Sequence, residues 1–375
     1  MRTSWAASTS LLAGRWQGSA VNNETCLHQL SPYIGKTKST MAGALISAFT
    51  LPGDTVYDPF CGSGTIALEA WKQGRNVVAN DLNPYAYVLT RGKLEPPCSL
   101  ESAHKEIDRI RPEVKKLHAQ VDLRRTPKWV RAFFHPETLR DALAWFSVLR
   151  PRRSYFLLSC LLGILHHQRP GFLSFPSSHV IPYLRKKKFP RELYPDLYHY
   201  RPVYPRLVDK VNRAFRRFPD LDFGLTRTCR RGDAAIYHPS RKVVAIVTSP
   251  PYMRQLDYGR DNRLRLWFLG VSNPSCLDQW ISPRRDDFLM LMRRSLRLWK
   301  EILPQEGVCV LIVGNVASRS LRTSLPEAVR AIVTDEVGGF REILSLADHL
   351  PDFRRVRRSC RGCEAETVLV LQRKE

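Results

Sequence analysis

The stretch Asp58-Pro-Phe-Cys-Gly-Ser-Gly-Thr65 decides how this chain is read. It closes a short apolar run over 55–60 and leads into residues 65–73, which have helix-forming composition and stop at Gly74. A strand, a glycine turn and a helix in that order bring backbone close to a ligand and aim the helix N-terminus at it. A second short strand over 76–82 follows at once, so the first part of the chain predicts a βαβ unit.

By itself the Gly62-x-Gly64 turn also suits a dinucleotide or a nucleoside phosphate. Ala67 stands where dinucleotide loops place a third glycine, and no Gly-Lys-Ser/Thr of a phosphate-binding loop follows. Asp81, roughly 20 residues past the glycines at the end of the second strand, is where a carboxylate accepts ribose hydroxyls. Asp233, in Arg231-Gly-Asp-Ala234, ends a third strand candidate over 227–233 and can accept from an adenine amino group. Strand-end acids also serve as helix caps and turn formers.

Working outward, residues 243–248 and 307–313 read as further buried strands, which makes a parallel α/β alternation. The alternation breaks after Leu94-Glu-Pro-Pro97 and resumes only at 227. Between them, 99–165 has helical periodicity and 168–224 is crowded with Pro, Tyr, His, Arg and Lys. Three segments are therefore expected: 1–98 with the cofactor loop, an inserted, largely helical and basic region over 99–224 for target recognition, and 225–375 completing the sheet. Residues 340–346 and 367–372 are expected to pair antiparallel.

A second motif, Thr248-Ser-Pro-Pro-Tyr252, ends the strand over 243–248. An exocyclic amine of a base is a poor nucleophile because its lone pair is delocalised into the ring. Fixed oxygens that accept its N–H hydrogens favour a pyramidal nitrogen, and Ser249 Oγ with the Pro250 carbonyl can supply them without a strong base. Pro250 and Pro251 stiffen the loop, and Tyr252 offers a face for an extruded base. Asp257-Tyr258-Gly-Arg-Asp-Asn262 just beyond either helps to enclose the target or caps a helix.

Together these two motifs resemble the S-adenosylmethionine-dependent amino-methyltransferases of DNA, over about two thirds of the chain. The Ser-Pro-Pro-Tyr form is similar to those that act on cytosine N4. The resemblance implies a Rossmann-like class I methyltransferase sheet, mostly parallel with an antiparallel C-terminal strand. It assigns Asp58, Phe60, Gly62, Gly64 and Thr65 to the S-adenosylmethionine loop, Asp81 to the ribose and Asp233 to the adenine. Ser31-Pro-Tyr-Ile-Gly-Lys36 resembles the segment that closes over the methionine end, which adds Thr37 and Lys38. It implies double-stranded DNA as partner with base flipping, and admits a cognate restriction endonuclease. The insertion before Asp233 departs from the commonest layouts of the family. Adenine N6, an RNA amine, and a silent nucleic-acid-binding module remain the competing readings. Carbon-5 methylation is disfavoured, because it requires a nucleophilic cysteine on the catalytic loop.

A net charge of +24 points to a polyanionic partner, or else to an arginine-rich solvated surface. The charge concentrates between Tyr183 and Arg217, where Arg185, Lys186, Lys187, Lys188, Arg216 and Arg217 interleave with tyrosines. That mixture suits phosphate contact and base stacking, or a basic face with packed tyrosines. Nine scattered cysteines make no disulfide framework and fit a reducing cytoplasm. Cys360 and Cys363 form the one C-x-x-C, and no nearby pair completes a zinc site, so no metal is expected. The longest apolar run, 155–165, is shorter than the roughly 20 residues of a membrane span.

Overall fold

The structure is a computed structural model describing residues 14–16, 24–167, 171–178, 182–251, 257–274, 276–278, 284–315, 323–349 and 365–374. Seven strands form one sheet: β1 (Thr55–Asp58), β2 (Asn76–Asp81), β3 (Arg227–Arg231), β4 (Ala245–Thr248), β5 (Val308–Asn315), β6 (Phe340–His349) and β7 (Ala365–Arg373). Their order is β3-β2-β1-β4-β5-β7-β6. The pairings among the first five are parallel, and β7 runs antiparallel to both β5 and β6. This is the class I methyltransferase sheet that the sequence motifs imply.

The central strands are short and buried along their whole length, as parallel strands covered on both faces must be. From β1 the chain steps one way to β2 and β3, and later returns to β4 on the other side. The carboxyl ends of β1 and β4 therefore flank the point where strand order reverses, which is where open α/β sheets bind ligands. Asp58 closes β1 and Ser249 follows β4, so topology alone sets the two motifs side by side.

Helix α1 (Ser39–Phe49) precedes β1, and α2 (Thr65–Lys72) and α3 (Pro84–Leu94) follow β1 and β2. The inserted region is built from α4 (Leu100–His118), α5 (Pro136–Leu149), α6 (Tyr155–Leu165) and α7 (Val203–Phe215). Its apolar faces share one core with the sheet: Ile107, Leu139, Leu161 and Val211 belong to the same buried cluster as Val56, Val77 and Leu89. Arg265, fully buried on a short helix over Arg263–Phe268, donates to the carbonyls of Leu162 and His166 at the end of α6. Those carbonyls have no partner inside their own helix, so the contact ties the insertion to the segment after β4. On the other face, α8 (Arg285–Ile302) packs Phe288, Met292, Leu296 and Trp299 into a second core with Tyr57, Val78 and Ile246.

The first four strands are shorter than the sequence suggests and the last three longer. β1 stops at Asp58, β3 at Arg231 and β4 begins at Ala245. Asp233 consequently sits in the turn after β3, where its Oδ1 accepts from Ala235 N at 2.9 Å. The pairing of β6 with β7 is antiparallel as expected, with a register shift between Glu342 and Leu344. Among the described residues no helix is long and apolar enough to cross a membrane. Cys360 and Cys363 lie outside the described residues.

Candidate functional site

A cavity of about 630 Å³ opens at the carboxyl ends of β1 and β4. Its wall takes Asp58, Phe60, Gly62 and Thr65 from the first motif, Asp81 from β2, Asp233 from the turn after β3, and Ser249 and Pro251 from the second motif. Thr37 joins from the segment before α1. Three residues of the sequence-based site do not line the cavity: Gly64, the buried Pro250, and Lys38, which pairs with Asp348 Oδ2 at 2.6 Å on β6. Tyr252 lies outside the described residues.

The loop between β1 and α2 has a left-handed backbone at Gly62 (φ 51°) and Gly64 (φ 74°). Only glycine enters that region without strain. Gly64 also lies against α3, where an added Cβ would sit 2.7 Å from Thr90 Oγ1 and 3.0 Å from Thr90 Cα. Below the loop, the buried Lys93 donates to the Ser63 carbonyl at 2.5 Å. Asp81 holds the turn from the front: its Oδ2 accepts from Gly62 N and its Oδ1 from Asn83 N, each at 2.8 Å.

One hydroxyl joins the two motifs. Thr248 Oγ1 donates to Asp58 Oδ1 at 2.7 Å and accepts from Phe60 N at 3.2 Å. Thr248 is fully buried, so the tips of β1 and β4 are held together through a site that water does not reach. The second oxygen of Asp58, Oδ2, is buried with no hydrogen-bond partner among the described residues. Leaving a carboxylate oxygen so costs free energy, and burial pushes the Asp58 carboxyl up to about 8, against the pull of the Thr248 bond. Burial likewise raises Asp81 to about 6, opposed by the amide N–H groups it accepts from. Ser249 Oγ donates to the Ile312 carbonyl on β5 at 3.3 Å, which commits its single proton and leaves its lone pairs as acceptors.

Two further walls complete the cavity. Tyr33 stacks on Tyr258 with ring centroids 6.0 Å apart, closing one side between the segment before α1 and the short helix Tyr258–Asp261. Both lie in the two stretches read from sequence as enclosing segments. From α8 come Asp287, Met290, Leu291 and Arg294, and Arg294 reaches Asp233 at 3.6 Å. Nothing in the amphipathic pattern of α8 separates these residues from an ordinary exposed face.

The basic residues split into two groups. Lys186, Lys187 and Lys188 are exposed on a turn, and the nearby Pro182 carbonyl accepts from Arg263 at 2.6 Å. Arg185 stands 5.5 Å from the Phe189 ring. Arg216 and Arg217, also exposed, follow the last turn of α7. The chain after them is fastened where Trp71 Nε1 donates to the Asp222 carbonyl at 2.7 Å, at the far end of α2 from the cavity.

The residues present suit S-adenosylmethionine. Asp58 offers an unpartnered oxygen at the wall, Asp81 and Asp233 stand at successive strand tips, and the cavity has the volume of a small-ligand site. No curated protein matches the chain. Among solved structures, TrmN from Thermus thermophilus is similar at 16% identity, covering 90% of this chain and 50% of that one with a TM-score of 0.35. The rRNA methyltransferase AviRa from Streptomyces viridochromogenes is similar at 11% identity, covering 99% and 95% with a TM-score of 0.35. The chain thus spans about half the length of the TrmN structure. The family described as DNA methylase, of the N6/N4 methyltransferases, matches residues 22–91. Those residues, which include the cofactor loop, are therefore similar in sequence to the N6/N4 methyltransferases, and they lie on a class I methyltransferase sheet.

Proposed function

We propose that this protein transfers a methyl group from S-adenosylmethionine to the exocyclic N4 of cytosine in DNA, with the base turned out of the duplex. The observation that carries the reading is a single cavity lined by both motifs, with Ser249 Oγ presented as an acceptor beside the glycine loop. The chemistry supplied by the bound cofactor is a methyl group on a sulfonium, open to direct displacement. The protein's part is to hold the amine. Ser249 accepts one N–H, the lone pair of N4 is thereby localised toward the loop, and the surplus proton leaves to solvent. Turning the base out costs a few kcal/mol, offset by backbone contacts and stacking.

The test is incubation with labelled cofactor and either duplex DNA or RNA, followed by digestion to nucleosides and mass spectrometry. Labelled N4-methyldeoxycytidine is expected. N6-methyldeoxyadenosine, or label found only in ribonucleosides, would replace the assignment of target.

A pH dependence follows from the two carboxyls. In the free protein Asp58 and Asp81 stand at about 8 and about 6. A sulfonium and ribose hydroxyls favour their ionised forms, so binding lowers both values and releases protons. Affinity for S-adenosylmethionine is therefore expected to strengthen as pH rises through this window and to level off above it. Calorimetric titration in two buffers of different ionisation enthalpy at neutral pH reads the released proton. Identical heats in the two buffers would mean that neither carboxyl faces the cofactor.

A further inference from the structure

Against the helix Arg263–Phe268, which follows the one carrying Tyr258 to the cavity, an indole is held between two neighbours yet left partly in solvent. Trp129, on a four-residue helical turn at Lys128–Arg131 in the insertion, is 36% exposed. The Arg263 guanidinium stands over its ring at 5.5 Å from the centroid, and Trp267 meets it edge to face at 6.5 Å. The same guanidinium donates to the Pro182 carbonyl, which fastens the next exposed aromatic, Tyr183 (55% exposed), to this side of the molecule. A tryptophan left in water forgoes the gain of burying a large apolar surface. Here its orientation is nevertheless set by two neighbours.

The surroundings are cationic. Lys128 and Arg131 flank the indole, and Lys186, Lys187 and Lys188 follow Tyr183; all five are exposed. Among the described residues none of the five forms an ion pair with a carboxylate. Fixed aromatic faces interleaved with uncompensated cations match a polyanion whose units carry flat rings, which is a nucleic-acid strand.

We propose that Trp129, Lys128 and Arg131, with Tyr183 and the lysines after it, form the surface that holds the nucleic-acid strand leading to the cavity, with an unpaired base stacked on Trp129. The proposal deepens the methyltransferase reading and rests on it for the direction of the strand. An indole already held by two neighbours loses little conformational freedom when a base stacks on it. The two neighbouring cations add a salt-dependent contribution that ignores sequence.

The experiment measures the affinity of the full chain for a fluorescently labelled single-stranded oligonucleotide across a salt series, with S-adenosylmethionine affinity measured in parallel. Trp129→Ala is expected to weaken oligonucleotide binding by about tenfold and leave the salt slope unchanged. Trp129→Phe is expected to recover most of that loss. Lys128→Ala combined with Arg131→Ala should flatten the slope by roughly 1.4 units, about 0.7 for each lost single-strand phosphate contact. Wild-type affinity in Trp129→Ala overturns the stacking. If Trp129→Ala also lowers the melting temperature, the Lys128/Arg131 pair decides, and an unchanged slope there overturns the surface. Should the wild type bind oligonucleotide in this Trp129-dependent way but not S-adenosylmethionine, the surface stands and the methyltransferase reading falls.

Discussion

Gly64→Ala is expected to weaken S-adenosylmethionine binding by at least about tenfold and to destabilise the protein by about 2 kcal/mol or more. Two separate effects add. At φ 74° an alanine occupies a region that L-residues enter only with strain, a cost on the order of 1–3 kcal/mol. The new methyl would also press on Thr90, and the nearest contacts include backbone, so relief requires α3 to move away from the loop. α3 carries Lys93, which holds the Ser63 carbonyl from below, so the shift carries the loop with it. Gly62→Ala is the informative comparison. Its Cβ would meet the Tyr33 ring at 3.4 Å, an ordinary contact, so crowding adds little to the backbone strain there. Thermal melts and calorimetric titration of both variants read the difference. A Gly64→Ala protein that binds the cofactor like the wild type would show that the loop is not its cradle.

Ser249→Ala should lower kcat for methylation by two to three orders of magnitude while leaving cofactor affinity within about twofold. The magnitude is that of removing one fixed hydrogen-bonding group aimed at charge developing in a transition state, about 10² to 10³. The stability cost is small by comparison, about 1 kcal/mol for one hydrogen bond to the Ile312 carbonyl. That split separates the role from mere packing, because a loosened β4 tip would also disturb Asp58 through Thr248 and weaken cofactor binding. Single-turnover rates with saturating cofactor, set beside calorimetric affinities, make the distinction. An unchanged single-turnover rate would mean that a residue other than Ser249 holds the amine.

How far the site was legible depended on whether its chemistry was local. The glycine turn, Asp81 and the Ser-Pro-Pro tip are each set by a few adjacent residues, and strand order places them at one sheet edge. Lys38 was not legible, because its partner Asp348 lies 310 residues away in sequence. The basic stretch is less compact than its sequence suggests. Lys188 and Arg216 look continuous in sequence, but α7 stands between them, and its 13 residues span ~20 Å. Trp129 lies within the insertion and Arg263 beyond it, and only folding sets one over the other. The α8 wall of the cavity is similar: an amphipathic helix tells which face is apolar, not which exposed residues overlook a ligand.

The insertion contributes side chains to the same interior as β1 and β2, and Gly92 of α3 lies so close to Ser159 and the Tyr155 carbonyl of α6 that no larger residue fits. Segment 99–224 is thus no cartridge to be exchanged whole: excising it would strip one flank of the sheet bare. Under the proposed function, retargeting such a chain, by evolution or by a designer, has to proceed through outward-facing substitutions on helices that stay where they are.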